Sequence, residues 1–251
     1  MSLVGVLLAL ASIITANIIE GGNPLALIDV PAFFIVIGST FGACVVQFPL
    51  KTLIGSMKQM KWMIAPPKPD YAAQVETLEN MTSIARQQGL LALENQLPGI
   101  TDQLTQSGLQ MIVDGVDKEQ LVDLLEKQIS TEEFELEQNA KVFEAFGGYA
   151  PCMGIVGAVL GLIHAMGLLD QPELLGPSIG VAFTATIYGV VSANTIFLPM
   201  GNRCKRCNHE LLKFKEMTME GLISIASGEN TMQLKRRLEP YLPPEMLGEK
   251  K

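Results

Sequence analysis

Apolar residues are gathered into four long runs, at about Ser2 to Ile19, Val30 to Leu50, Gly148 to Leu169 and Ser178 to Met200. None of these runs contains Asp, Glu, Lys or Arg, and Glu20, Asp29 and Asp170 stand just at their ends. A hydrocarbon core of roughly 30 Å takes about 20 predominantly apolar residues in a helix. The pattern therefore predicts an all-α integral membrane protein with four transmembrane helices in two pairs, and a cytoplasmic helical domain between the pairs. The expected layout is 1–50 for the first two spans, 51–147 for the cytoplasmic part, 148–200 for the last two spans and 201–251 for a helical tail.

Between the pairs the periodicity changes to amphipathic helices broken by turns. Pro66, Pro67 and Pro69 mark a stiff connector, and Asp70 is placed to cap a helix that Gly89 stops near Gln88. Shorter pieces follow at Leu90 to Leu97 and Thr101 to Val113. Lys118 to Phe146 reads as one long helix leading into the third run. The tail fits helices at Cys204 to Ala226 and Asn230 to Leu238.

Basic residues set the expected orientation. Lys51, Lys58, Lys61 and Lys68 follow the second run, and Arg203, Lys205 and Arg206 follow the fourth. The loops Glu20–Asp29 and Asp170–Pro177 hold neither Lys nor Arg. Both termini and the central segment are expected in the cytoplasm of a bacterium, with the chain in its inner membrane. The start lacks a basic n-region and a small-residue cleavage site, so it reads as a retained first span.

Composition adds exclusions. The chain has 251 residues, a net charge of −8, 48% hydrophobic and 18% charged residues. That acidity argues against nucleic acid, whose phosphates call for a basic surface. Four cysteines are too few for a secreted disulfide scaffold. Cys204-Lys-Arg-Cys207-Asn-His209 resembles half of a zinc site, but a structural zinc takes four ligands and no second pair is nearby. Reduced thiols on a helix are expected, with no metal and no cofactor. No nucleophile–base pair or phosphate loop points to an enzyme.

Polar and glycine positions inside the runs carry the candidate chemistry. Gly154, Gly157 and Gly161 leave one side of the third run nearly bare, either for tight packing within the subunit or as a smooth surface for a moving partner. Pro151 lies at the start of that run, as a plain helix start or as a rigid coupling point. In the fourth run Thr184, Tyr188, Ser192 and Thr195 share a face. They either bond back to their own helix or line a polar path; Tyr188 and Asn194 favour the path. His164 is the only ionisable group inside the runs and reads as a hydrogen-bonded structural residue. If ions cross, the carboxylate that relays them is expected from another chain. Arg86 and Glu94 stand out as charges in apolar surroundings, which by itself is an ordinary solvated helix face.

Several stretches together carry a family resemblance: Ala85-Arg86 with Gly89-Leu90-Leu91-Ala92-Leu93-Glu94, and Phe143-Glu-Ala-Phe146-Gly147-Gly148-Tyr149-Ala150-Pro151. Met153-Gly154-Ile155-Val156-Gly157, and Thr186-Ile-Tyr188-Gly189 running on to Leu198-Pro199, complete the set. In this order they resemble the MotA/PomA flagellar stator A-subunit family, within the MotA/TolQ/ExbB proton channel superfamily. The resemblance implies an ion-driven motor in which a ring of A subunits surrounds single-span MotB/PomB-like B subunits carrying the ion-binding aspartate. It further implies that Arg86 and Glu94 engage the rotor switch protein FliG, that Pro151 and Pro199 take part in torque transmission, and that Thr186 lies beside the ion-bearing aspartate. Ala158 stands where sodium-type members have threonine, so proton coupling is expected, with sodium as the alternative. Cys152 departs from the small or hydroxylated residue expected after the proline. A TolQ/ExbB-like energiser of an outer-membrane process is the second reading, disfavoured by the four-run layout.

Overall fold

The computed structural model describes residues 2–246, of which the Ser2 side chain is not placed; the last five residues of the expected tail lie outside the described part. Among the described residues, ten α-helices carry the chain: α1 Ser2–Ile19, α2 Val30–Phe33, α3 Ser39–Gln47, α4 Leu50–Gln59, α5 Tyr71–Gln88, α6 Gln103–Val113, α7 Lys118–Met166, α8 Pro172–Ser192, α9 Leu198–Ala226 and α10 Thr231–Leu238. Short 3-10 turns and two widened π turns, Phe34–Gly38 and Ala193–Phe197, complete it. No strand occurs among the described residues, so the fold is all-helical. The residues form two compact units. The first runs to Pro66 and takes in Glu135–Arg206, while the second comprises Pro67–Phe134 and the residues from Cys207 onward.

Among the described residues, three helical stretches are long and apolar enough to cross a membrane. These are Pro24–Gln47, part of Lys118–Met166 and part of Pro172–Ala226, with mean hydropathies of 1.9, 1.7 and 1.6. The apolar helix α1 is shorter, about 27 Å at 1.5 Å per residue. The second run ends earlier than its composition predicts. Phe48 turns extended ahead of Pro49, as a residue before proline prefers, and Pro49 caps α4. The third run has no helix start of its own, because α7 continues through it for 49 residues. The expected tail helix is likewise no separate element: α9 begins at Leu198, directly after the π turn that ends α8.

The core of the first unit is built from small residues. Ala32, Val36, Ala150, Ala185 and Ala193 are buried together, with Ile37, Tyr188 and Phe197 against them. Large apolar side chains face outward instead: Val46 is 90% exposed and Phe183 66%. Toward the ends of the runs, Cys204 packs with Ala140, Phe143 and Met200, and Trp62 and Met63 close over them.

The second unit is a water-type core. Leu78, Leu93, Leu109, Leu121, Leu125, Leu222, Leu234 and Leu238 are fully buried. Each such side chain contributes about 1.5–3 kcal/mol of burial. Local chemistry sets the helix ends. Asp70 accepts from the Ala73 amide at 3.0 Å, Asp102 from Thr105 at 2.7 Å, and Asn230 forms a capping box with Gln233. Gly89 ends α5 at φ 86°, a conformation open to glycine. One polar junction is enclosed: the Gln74 side-chain amide donates to the Thr105 and Thr218 hydroxyls at 2.9 and 3.2 Å.

Arg237 ties α10 to its surroundings. It donates to Glu220 at 2.7 Å and to Glu229 at 2.8 Å, with all three side chains largely shielded. Burial pushes the Glu229 carboxyl upward, but its bonds from Ser224 and Arg237 prevail and hold it below the usual 4.5. A carboxylate depressed in the fold contributes stability that is full above its unfolded pKa and is lost as pH falls through the folded value. Replacing Arg237 with Gln leaves two carboxylates unpaired and is expected to cost about 1–2 kcal/mol near neutrality. Thermal unfolding of the purified complex at pH 7 and below pH 4 checks this. The gap between wild type and R237Q should be present at the first pH and shrink at the second.

Candidate functional site

The glycine stripe of the third run meets α8 of the same chain. A Cβ on Gly154 would lie 3.0 Å from the Ala185 carbonyl oxygen and 3.3 Å from the Gly189 Cα. At Gly157 it would meet the Ala185 Cβ at 2.6 Å, and at Gly161 the Ala182 Cα at 2.9 Å. Gly189 returns the contact, with the Ala150 carbonyl oxygen 2.5 Å from where its Cβ would be. The two backbones thus touch along three turns, the close approach that small residues permit between membrane helices. Of the two uses open to this stripe, packing within the subunit is the one it serves. It is not a free surface past which a partner helix could slide.

Polar groups of the fourth run are turned back on the protein. The hydroxyls of Thr184, Thr186 and Ser192 donate to the carbonyls of Gly180, Ala182 and Gly189 at 3.0, 3.4 and 3.2 Å. Thr195 does the same to Val191, and the Asn194 amide donates to the Val190 carbonyl at 2.9 Å. Asn194 therefore does hide its donor in its own helix, as serine and threonine do. Tyr188 behaves differently. Its hydroxyl donates to the Leu27 carbonyl at 2.6 Å and accepts from the Asp29 amide at 2.9 Å. This ties α8 to the loop before α2, where the Asp29 carboxylate caps that helix through the Ala32 amide at 2.6 Å. Tyr188 thus acts as a staple between elements 160 positions apart in sequence, a role that its spacing on the helix face does not reveal.

The prolines occupy unlike settings. Pro151 sits deep inside α7 rather than at a helix start. There it cannot donate to Gly147, and its ring crowds that carbonyl. Pro199 is exposed in the first turn of α9, just after the π turn Ala193–Phe197. The carbonyl it cannot serve belongs to Thr195, within that widened turn, which is where a helix accommodates such a gap. Ala158 and Thr186 are half-buried, on α7 and α8 respectively. His164 is exposed near the end of α7, and its ring makes no hydrogen bond among the described residues, contrary to the structural role expected of it. Thr40 in α3 is buried with an unpartnered hydroxyl.

In the second unit, Arg86 lies in the last turn of α5 and Glu94 in the 3-10 stretch Leu90–Gly99. Both are exposed, and neither forms an ion pair among the described residues. Arg86 borders a cavity of about 400 Å³ with Gly89, Leu90 and Glu229. Leu93 between them is fully buried and anchors the stretch that displays Glu94.

The backbone contact predicts a sharp position dependence. Gly189→Ala places a methyl against the backbone of α7, which cannot yield as a side-chain tip does, and should abolish assembly of the complex. Gly148→Ala, on the same contact helix but with nothing within 4 Å of its Cβ, should leave assembly within about twofold of wild type. Co-purification of the subunits from membranes measures both.

Comparison with known proteins places this geometry. Residues 96–217 match the model of the MotA/TolQ/ExbB proton channel family, and residues 3–89 match that of the motility protein A N-terminal region. Motility protein A of Helicobacter pylori is 34% identical over 97% of this chain and 95% of its own length. The solved structure of C. jejuni MotAB superposes with a TM-score of 0.90 at 32% identity, covering 97% of this chain and 96% of that one. The flagellar MotAB stator complex of Bacillus subtilis gives 0.86 at 29% identity, over 100% and 99% of the two chains. With glycine-packed apolar helices and relatives matched from end to end, the chain belongs to the motility protein A family of flagellar stator subunits, within the MotA/TolQ/ExbB proton channel family.

Proposed function

We propose that this chain, a stator A subunit, forms a proton channel with a single-span B subunit and turns proton flow into torque. In this reading α1, the Pro24–Gln47 stretch, the apolar half of α7 and α8 make four spans of the bacterial inner membrane. Both termini and the central segment face the cytoplasm, as the basic residues after the second and fourth runs favour. Several copies ring a pair of B subunits.

One observation carries the channel reading. The fourth run is rich in polar groups, yet its hydroxyls and amide donate to its own helix or, for Tyr188, to the neighbouring loop. The four apolar runs hold no carboxylate. A relay across them must be brought by another chain. Protonation neutralises such a partner aspartate and lowers the cost of its passage along the apolar wall of the A ring; release restores the charge.

Proton rather than sodium follows from the donors available. A bare cation needs several oxygens in place of its water. The Ala158 side chain offers none, which leaves the half-buried Thr186 hydroxyl as the single side-chain oxygen from these two positions. Arg86 and Glu94 are the charges offered to the rotor switch protein FliG. Pro151 and Pro199, each interrupting the hydrogen-bond ladder of a long helix, are the points at which membrane events bend the helices that lead to them.

Tethered-cell rotation in a bacterium lacking its own stators, expressing this chain with its cognate B subunit, tests the reading. Rotation in sodium-free buffer is expected. Stillness relieved by sodium keeps the motor and overturns the ion. Stillness in both, with the complex in the membrane and a compatible rotor, points to a TolQ/ExbB-like role. In the same cells R86E combined with E94K should cut torque severalfold with assembly intact; unchanged torque excludes the rotor contact.

A further inference from the structure

A second cavity lies in the first unit, where the fourth run gives way to charge. It encloses about 320 Å³ between the start of α1, the 3-10 turn Met60–Met63 and the junction of α8 with α9. Its lining combines apolar Gly5, Val6 and Met63 with Arg203 and Arg206. These arginines are one turn apart on α9 and so share a face. No carboxylate is among the lining residues.

The arginines are left available. Arg203 donates its Nε to the Trp62 carbonyl at 2.8 Å, which fixes the guanidinium and leaves its terminal N–H fork unused. Trp62 is itself seated on the Ala140, Phe143, Met200 and Cys204 cluster, so the anchor is firm. Arg206 is exposed and, like Arg203, makes no ion pair among the described residues. Their neighbour Lys205, by contrast, is paired with Glu144 at 2.5 Å on another face. Asn194 projects from the π turn into the same cavity, with one amide N–H spent on Val190 and the second free. Widened turns of this kind recur at functional sites.

We propose that this cavity binds the phosphate headgroup of an anionic phospholipid from the cytoplasmic leaflet. The planar N–H forks of two arginines match phosphate oxygens in a bidentate way. Basic pockets between spans on the cytoplasmic side are where such headgroups lodge. The source is the bilayer rather than free phosphate because part of the lining is apolar. A soluble anion gains nothing from Gly5, Val6 and Met63, whereas the glycerol and first methylenes of a lipid lie against them. The bound lipid joins α1 to the α8–α9 junction beside Pro199, which also borders the cavity. It therefore fastens the first helix to the segment that the proposed torque step bends. The leaflet assignment rests on the orientation argued above.

Native mass spectrometry of the A–B complex, released from mixed micelles with phosphatidylglycerol, phosphatidylethanolamine or phosphatidylcholine, measures the binding. Retention of phosphatidylglycerol well above the other two is expected. Arg206→Gln should weaken it about fivefold, the effect of one arginine near an anionic surface. R203Q combined with R206Q should bring it to the level of phosphatidylcholine. Arg206 makes no ion pair or hydrogen bond among the described residues, so R206Q keeps the fold, and intact A–B assembly verifies this. Equal retention by wild type and R206Q overturns the proposal. Displacement of the lipid by millimolar inorganic phosphate overturns the lipid source and leaves an anion site. Labelling of Asn202→Cys above the parent by a membrane-impermeant thiol reagent on intact cells overturns the leaflet and the orientation together. Absence of that labelling with no lipid retained overturns the site alone.

Discussion

The contact between α7 and α8 is the constraint on which the first unit depends. In a bilayer the alternative to burying a side chain is lipid, not water, so helices gain little by hiding leucines from their surroundings. What holds them is close packing, and close packing needs bare backbone. Gly154, Gly157 and Gly161 of α7, with Ala182, Ala185 and Gly189 of α8 opposite, supply it. Once those two helices touch, the π turn after α8 and the proline inside α7 are fixed in relation to one another. The Tyr188 hydroxyl then reaches the Leu27 carbonyl and holds the loop before α2.

The same economy governs polar groups in the membrane part. A hydroxyl or amide without a partner is costly in hydrocarbon, which is why the donors of the fourth run are spent locally. Such a wall has its protons tied down locally, and it has no carboxylate to trade them. It suits the task proposed above, letting a partner's carboxyl pass at low cost once protonation has neutralised it. Satisfied polarity is thus part of the transport design, not a sign that the polar positions are idle.

How far the sequence discloses this differs by kind of feature. The α5 cap at Asp70 and its stop at Gly89 follow from local rules and were legible to the residue, as was the start of α7 at Lys118; the last helix was placed one residue early, at its cap Asn230. The run-through at Pro151 was not. A proline in an apolar run reads as a boundary, whereas here its neighbours Ala150 and Gly154 pack against Gly189 and the helix runs on through it. The tail boundary failed for a related reason, because charge appears at Arg203 while the helix has no cause to stop there. The roles of Gly154 and its companions stayed open between two uses because spacing gives a face but not what lies against it. Tyr188 escaped notice as a staple since its partners are backbone groups, which have no letter of their own in the sequence.

Two chemistries of cohesion meet in one chain. The second unit is a leucine core whose stability comes from removing apolar surface from water, and its termini are capped by aspartate and asparagine. Where α7 and α8 cross in the first unit, small residues are inside and large ones such as Phe183 are outside, the reverse of a water-soluble core; toward the ends of the runs Phe48, Leu53, Phe143 and Met200 are buried in the ordinary way. Exposed Val46 and Phe183 would be a liability in water; against acyl chains or neighbouring spans they cost nothing. Alanine and glycine contacts give a stiff joint with few rotamers, whereas leucine cores tolerate repacking. A device that must transmit a small displacement needs its membrane helices to move as bodies rather than to yield at their side chains, and the glycine and alanine contact between α7 and α8 is a direct way to obtain that.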